Sequence, residues 1–263
     1  MNTWTLVQQI RIDSIGEILS VLSNALGDDT VVRGSVATAF WTQVPRCPND
    51  LDIFCFSDAY AVIDAINSSR ILKVVDYRPI RSSSKSLPVG ATKLVVDVGD
   101  QAATQDSIIC DITPITKLSL SCSVATDAHL GSRVPFTVRS IDPEGILSEK
   151  IIAYIDDATR VISLRWNDLY DIAALALSSR FDRETVRNAV CRLGQAREMQ
   201  LPSSLPSPHA WWTGPWSKTL WPIHKFNEID FTFGEVEKFV ETLLTPDLPP
   251  ATWNQNQWRW EEK

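Results

Sequence analysis

The spacing of apolar residues changes near residue 140, from a mixture of helical and strand-like periods to a helical period alone. Between Val7 and Leu26, apolar residues recur at intervals of three and four, which predicts an amphipathic helix closed by Gly27. Short runs rich in β-branched residues and bounded by polar or turn-forming residues then predict strands. The predicted strands are TVVRGS, DLDIFCF, KVVDYRPI, TKLVVDVGD, SIICDITPI and VPFTVRS, with helices at VATAFWT and DAYAVIDAINSS.

From Asp142 onward the pattern is predominantly helical. The stretch DPEG places an aspartate at a helix N-cap and Pro143 in the first turn. Helices are predicted at about 142–157, 163–178, 182–198 and 234–244. The expected fold class is therefore α+β: residues 1–140 form a mixed β-sheet with flanking helices, and residues 141–263 form a mainly helical domain with a tryptophan-rich carboxy-terminal segment.

Composition narrows the class of protein. The 263 residues are 44% hydrophobic and 22% charged, which suits a globular protein with a proper core. No cationic start followed by an apolar run and no bilayer-length apolar stretch occurs, so a cytoplasmic protein without membrane contact is expected. The five cysteines form no CxxC pair, and neither a disulfide framework nor a zinc site is indicated. A net charge of −7 argues against a broad basic face for nucleic acid but permits a local one.

Two aspartates interrupt the predicted strand DLDIFCF. Because strand side chains alternate between faces, Asp50 and Asp52 point to one side while Leu51 and Ile53 enter the core. Two like charges this close repel, and a bound Mg²⁺ relieves the repulsion. A solvated strand edge is the alternative for an isolated DxD motif.

Other features favour the metal site over a solvated edge. Gly34 and Ser35 form a turn into a helix whose free N–H groups suit a polyphosphate. In KLVVDVG, Lys93, Val95 and Asp97 share one face, so Asp97 is the expected third carboxylate of a two-metal site. No histidine lies in this region, which leaves metal-assisted chemistry as the more attractive option.

The order of a Gly-Ser turn, a DxD pair and a later aspartate resembles the nucleotidyltransferase fold of the polymerase β type. The stretch EGILSEKIIAYIDDATRVISLRWNDLYDIAAL is in turn similar to the E-x-L-x-x-E-K…R-x-x-D-L-Y-D segment of the AbiEii/AbiGii toxin family, which includes MenT-like toxins. Two positions depart from the family pattern. Pro48 stands where a hydroxyl residue is usual, and Asn167 where a basic residue is common.

The resemblance implies a nucleotidyltransferase-fold sheet in the first domain and assigns roles residue by residue. The catalytic set is Asp50, Asp52, Asp97, Lys150 and Asp168. The nucleotide-binding set is Gly34, Ser35, Arg46, Lys93 and Lys150. Asp50, Asp52 and Asp97 hold the metal, two Mg²⁺ ions with Mn²⁺ as an alternative. Without the resemblance, the second-domain segment reads as a solvated helix face with internal ion pairs, and this alternative stays open for Glu149, Arg165 and Asp171.

The implied reaction transfers a nucleoside monophosphate from a nucleoside triphosphate to a hydroxyl, as the toxin of a toxin–antitoxin or abortive-infection system. The implied acceptor is RNA, in particular the 3′ end of tRNA, and a cognate antitoxin is an expected partner. The segment RFDRETVRNAVCRLGQAR offers a basic face for RNA, although its arginines are equally suited to pairing with acidic residues. The alternatives are a transferase acting on a small, antibiotic-like hydroxylated molecule, and an inactive scaffold that serves as a binding protein.

The tryptophans of the carboxy-terminal segment divide into two groups. Trp211, Trp212, Trp216 and Trp221 are expected to pack in a core. For Trp253, Trp258 and Trp260, set among polar residues, an exposed or partner-binding role is left open.

Overall fold

The structure is a computed structural model that describes residues 4–43, 45–80, 90–100, 103–118, 120–158, 165–203, 205–206 and 233–263. The chain divides into two compact units. The first comprises Met1–Trp41 and Pro45–Asp142, and the second Thr42–Val44 and Pro143–Lys263. The division after Asp142 lies close to the boundary expected near residue 140.

The first unit is a sheet with helices against it. Its strands are β1 (Thr30–Arg33), β2 (Asp50–Cys55), β3 (Leu72–Pro79), β4 (Thr92–Asp100), β5 (Ala103–Pro114), β6 (Cys122–Thr126) and β7 (Thr137–Ile141). Its helices are α1 (Leu6–Leu26), α2 (Gly34–Trp41), α3 (Ala59–Asn67) and α4 (Asp127–Leu130). The strand order is β3-β4-β5-β2-β1-β7-β6. The sheet is mixed, because β2 runs antiparallel to β1 but parallel to β5.

One face of this sheet forms the core. Along β2, Leu51, Ile53 and Cys55 are buried, whereas Asp50, Asp52 and Phe54 are only half-buried. Helix α1 packs against β5 and β7, and α3 against β3. The apolar stripe of α1 that supplies this packing is Ile12, Ile15, Ile18, Leu19 and Leu22. The alternation therefore keeps the aspartates of β2 off the helix-covered face.

The second unit contains four described helices and a hairpin. The helices are α5 (Pro143–Ala158), α6 (Trp166–Ser178), α7 (Arg183–Ala196) and α8 (Phe233–Leu244), and the hairpin strands are β8 (Ala251–Asn254) and β9 (Arg259–Glu262). Trp253 is 2% exposed, and its indole N–H donates to the Ala176 carbonyl oxygen at 2.7 Å. Its ring meets Phe239 edge-on, with ring centroids 4.5 Å apart. Trp253 is therefore a core residue of this unit, and the exposed role left open for it is wrong.

The predicted mixed sheet with flanking helices is confirmed. Strand β6 and the hairpin of β8 and β9 were not predicted, because short polar strands such as CSVAT carry a weak apolar signal. The tryptophans at 211, 212, 216 and 221 lie outside the described residues. Within the described ranges, no helix is both long enough and apolar enough to cross a bilayer.

Candidate active site

A glycine turn brings the start of α2 against the aspartates of β2. Gly34 follows directly after β1 and has a φ of +65°, a backbone conformation that L side chains rarely adopt. A Cβ atom at this position would lie 2.0 Å from Oδ2 of Asp52. Glycine is therefore required here twice, for its backbone conformation and for the close approach of a carboxylate.

Asp50 is held at the start of β2 by contacts from two sides. The Ser35 hydroxyl donates to Asp50 Oδ1 at 3.0 Å, which ties the turn to the carboxylate. On α1, the Arg11 guanidinium donates to the Asn49 carbonyl oxygen at 3.0 Å and pairs with Asp106 at 3.0 Å. The backbone leading into Asp50 is thus fixed by α1, and its side chain by α2.

The strand register brings a third aspartate to the pair, and this residue is Asp111. In the parallel pairing of β2 with β5, Asp52 lies directly opposite Asp111. Residues opposite each other on paired strands point to the same face of the sheet. Three carboxylates, of Asp50, Asp52 and Asp111, therefore share one face on two adjacent strands.

The prediction that Asp97 completes this cluster is wrong. Asp97 lies on β4 opposite Ser107, whose hydroxyl donates to its carboxylate at 2.6 Å. Asp111 is four residues farther along β5 than Ser107, a distance of about 13 Å at the rise of a β-strand. Asp97 occupies the same face but is two strands away from Asp52. From the sequence alone, Asp97 can be placed on the polar face of its strand. The position of that strand relative to β2 depends on the strand order, which the sequence does not reveal.

A row of charged residues crosses the sheet through Asp52 and Asp111. Arg33 lies opposite Asp52 on one side, and Lys93 lies opposite Asp111 on the other. The Lys93 ammonium is 3.4 Å from Asp111 Oδ1, and the Arg33 guanidinium stacks over the Phe54 ring at 4.3 Å. A cation thus stands at each end of the row formed by these two carboxylates.

The environment of Asp111 favours a positively charged ligand. Burial raises the pKa of its carboxyl group, Lys93 acts against this rise, and the nearby charge of Asp50 adds to it. The Oδ1 atom of Asp111 is buried, and the Lys93 ammonium 3.4 Å away is the cation that faces it. A cation at this oxygen would stabilise the ionised carboxylate in place of a proton.

The residues on this face fit a hard divalent cation in their chemistry. Mg²⁺ prefers oxygen ligands and is commonly bound through one or two carboxylates together with substrate phosphates. Within the described part of the chain, no three acidic, histidine or cysteine side chains are already gathered into a metal-ligand cage. Asp50 is instead engaged by Ser35, and Asp111 by Lys93.

The second unit holds a separate charged cluster between α5 and α6. The ammonium group of Lys150 lies 3.0 Å from Asp168 Oδ1 and 2.7 Å from Asp171 Oδ2. Arg165 approaches the other oxygen of Asp168 at 3.3 Å. Lys150 is 8% exposed and Asp171 1% exposed. The solvated-face alternative is therefore wrong for Asp171, whose carboxylate is a buried partner of Lys150.

The remaining predicted nucleotide-binding residue, Arg46, lies half-buried in the segment that leads into β2. Its charge acts on Cys47, where burial raises the thiol pKa and the cations Arg11 and Arg46 lower it. In the basic segment, Arg197 pairs with Asp156 at 3.8 Å, and Arg183 lies over the Trp260 ring at 5.5 Å. Part of that segment is therefore engaged within its own unit.

Comparison with known proteins places these features in context. The family model described as the nucleotidyl transferase AbiEii toxin of a type IV toxin–antitoxin system matches residues 18–255. The fold is similar to that of MenT4, the nucleotidyltransferase toxin Rv2826c from Mycobacterium tuberculosis H37Rv, with a TM-score of 0.55 and 15% identity over 96% of this chain and 87% of that chain. It is also similar to JHP933 from Helicobacter pylori, with a TM-score of 0.51 and 14% identity over 92% of each chain. No curated protein gives a significant match.

Proposed function

Because the chain belongs to the AbiEii family of nucleotidyltransferase toxins, we propose that it transfers a nucleoside monophosphate from a nucleoside triphosphate to an RNA hydroxyl, using Mg²⁺ at Asp50, Asp52 and Asp111. The observation that carries the metal site is the register of β2 and β5, which places Asp111 opposite Asp52. The 3′ end of tRNA is the proposed acceptor, as the family resemblance implies.

In the proposed reaction, the acceptor oxygen forms a bond to the α-phosphorus, and the bond from that phosphorus to the bridging oxygen breaks. The electron pair leaves with pyrophosphate. Bound Mg²⁺ ions would neutralise the charge on the attacking and leaving oxygens. Asp50 and Asp52 would hold the cations, and Asp111 would contribute a ligand and accept the hydroxyl proton. The N–H groups at the start of α2, beginning at Gly34 and Ser35, would bind the triphosphate.

The role of Lys150 and Asp168 rests on the family resemblance. Lys150 is proposed to contact the nucleotide phosphates, with Asp168 and Asp171 orienting its ammonium group. Charge-assisted contacts of this kind are short and directional, which suits the positioning of a phosphate. As a toxin of a type IV system, the protein is further proposed to be controlled by a cognate antitoxin.

The test uses two aspartates of the same sheet face as a matched pair. Purified wild-type protein, Asp111→Asn and Asp97→Asn are each incubated with labelled nucleoside triphosphates and total RNA, with Mg²⁺ or with EDTA. We expect the wild type and Asp97→Asn to label a tRNA band in Mg²⁺ alone, and Asp111→Asn to label none. Labelling by Asp111→Asn, or full activity in EDTA, would overturn the metal assignment. Turnover only with a small hydroxylated acceptor would overturn the RNA assignment.

A further inference from the structure

We propose that the sheet face beyond Asp111, formed by Ile109, Val95 and Lys93, binds the terminal nucleotide of the RNA acceptor. We call these three residues the acceptor shelf. The inference rests on the proposed function and assigns to the acceptor a surface that includes Lys93, a residue expected from the sequence to bind the nucleoside triphosphate.

The position of the acceptor shelf follows from the strand registers. Ile109 lies opposite Asp50 on one side and opposite Val95 on the other. Lys93 is two residues from Val95 and lies opposite Asp111. All of these side chains point to the same face, because paired residues and residues two apart on a strand share a face. An apolar row thus begins directly beside one carboxylate, and a cation lies beside another.

The in-line geometry of the proposed reaction determines which of the two substrates lies over the acceptor shelf. The attacking and leaving oxygens stand on opposite sides of the reacting phosphorus. The turn proposed to bind the triphosphate lies between β1 and α2, on one side of β2, while β5 and β4 follow on its other side. With the leaving pyrophosphate toward β1, the acceptor hydroxyl must enter over β5. The strands found there are those that carry Asp111 and the acceptor shelf.

The chemistry of the acceptor shelf fits a nucleotide. Ile109 is 41% exposed and Val95 is half-buried, so the two offer an apolar surface to a ribose or base. The Lys93 side chain is 46% exposed and offers its ammonium group to a phosphate. Exposure of one isoleucine is not informative by itself. Ile109 lies beside Asp50, and Lys93 lies two residues along the neighbouring strand from Val95, the partner of Ile109. This combination of an apolar surface, a carboxylate and a cation indicates a nucleotide-binding surface.

The test separates use of the acceptor from use of the triphosphate. With total tRNA as the acceptor, we expect Ile109→Ser to raise the KM for tRNA about tenfold, equivalent to about 1.4 kcal/mol. The KM for the nucleoside triphosphate should stay within about twofold of the wild type, because that substrate is bound on the other side of β2. Ile109→Leu should restore most of the tRNA affinity. The matched control is Val124→Ser, since Val124 is 59% exposed on strand β6 at the far edge of the same sheet.

A second measurement does not depend on catalysis. The photocrosslinking residue p-benzoylphenylalanine is placed at position 109 or at position 124, and each protein is irradiated with labelled tRNA. We expect crosslinked RNA at position 109 only. If the wild type labels tRNA but Ile109→Ser keeps its tRNA KM and position 109 gives no crosslink, the acceptor shelf is wrong while the proposed function stands. If the wild type labels no RNA, the proposed function itself fails and the acceptor shelf fails with it.

Discussion

The two units each contain a cluster of aspartates, and the surroundings of the clusters differ. In the first unit, Asp50, Asp52 and Asp111 share one sheet face and are only half-buried. In the second unit, Asp168 and Asp171 are buried, and the cations of Lys150 and Arg165 lie against them. The first cluster places three carboxylates beside a turn, with Arg33 and Lys93 only at the ends of the row, whereas the second buries its carboxylates directly against Lys150.

This difference in surroundings determines whether an aspartate in each cluster contributes to stability or reduces it. Like charges on an accessible face repel, so the fold retains them at a cost that a bound cation can offset. A buried ion pair behaves in the opposite way, because removal of one partner leaves an uncompensated charge inside the protein. Substitutions in the first cluster should therefore act mainly on activity, whereas substitutions in the second should lower stability in addition to any effect on nucleotide binding.

The largest expected effect is the loss of activity in Asp52→Asn. Removing a carboxylate ligand of the proposed metal site should lower the rate of nucleotide transfer by about a thousandfold, since the metal supplies several kcal/mol of transition-state stabilisation. The melting temperature should change far less than the activity, because Asp52 is half-buried and lies between the like charge of Asp111 and the opposite charge of Arg33. Transfer rates and thermal unfolding of the same preparation check both statements. Unfolded Asp52→Asn protein would show that the aspartate serves the fold.

The next effect is a loss of stability in Asp171→Asn. The substitution removes one of the buried carboxylates against Lys150 and should lower the free energy of unfolding by about 3 kcal/mol. The matched control is Asp156→Asn, which breaks the more exposed contact with Arg197 and should cost under about 1 kcal/mol. Denaturant titrations of both variants give the comparison. Equal costs would mean that burial of the Lys150 cluster contributes nothing.

A smaller and mixed effect is expected for Gly34→Ala. The new Cβ would meet Asp52 and must displace it, so transfer should fall by roughly tenfold to a hundredfold while the strained backbone costs about 1–2 kcal/mol. Gly27→Ala is the control, because Gly27 also has a positive φ, of +53°, but nothing lies within 4 Å of its added Cβ. That variant should lose stability and keep its activity. A similar activity loss in both variants would exclude the Asp52 contact as the cause.

The smallest effect is expected at the start of α7. Asp182 caps this helix by accepting from the Thr185 backbone N–H at 2.8 Å, and Lys263 also pairs with it. Asp182→Ala should cost about 1 kcal/mol of unfolding free energy with no change in transfer. Although burial opposes the shift, hydrogen bonds from Lys263 and Thr185 hold the pKa of the Asp182 carboxyl group below its usual value.

The sign of this shift fixes the pH dependence. A carboxyl group whose pKa is lowered by folding stabilises the protein above its unfolded pKa, and this contribution is lost as the pH falls through the folded pKa. The difference in stability between wild type and Asp182→Ala should therefore be largest above the ordinary value of 3.8 and shrink below it. Denaturant titrations at several pH values test this. A difference that grows at low pH would contradict the assigned direction.

Local sequence patterns were sufficient for most elements of the fold. The helix predicted from Val7 to Leu26 begins one residue earlier and ends as expected, since its apolar stripe and Gly27 are local signals. The Gly34-Ser35 turn was also predicted from the sequence. The same holds for the exposed side of Asp50 and Asp52, because strand periodicity alone determines which side chains point away from the core. The hairpin of β8 and β9 was not readable, because its stability depends on packing of Trp253 against Phe239.

The third carboxylate beside Asp50 and Asp52 could not be identified from local sequence patterns. Asp97 in LVVDV and Asp111 in IICDI occupy equivalent patterns, each an aspartate on the polar side of an apolar strand. Only the order and register of the strands distinguish them, and both depend on long-range pairing that no local pattern specifies. The same limit applies to Asp171, whose sequence position permits a solvated face as readily as the buried contact with Lys150.

The parallel pairing of β2 with β5 also has a consequence for folding. It joins Asp52 to Asp111, which are 59 positions apart in the chain, across the intervening α3, β3 and β4. Contacts of such high sequence separation form slowly, because the entropy of closing the chain is lost before the contact stabilises it. A nascent chain on the ribosome therefore cannot bring Asp52 and Asp111 together until β5 has emerged, more than fifty residues after β2.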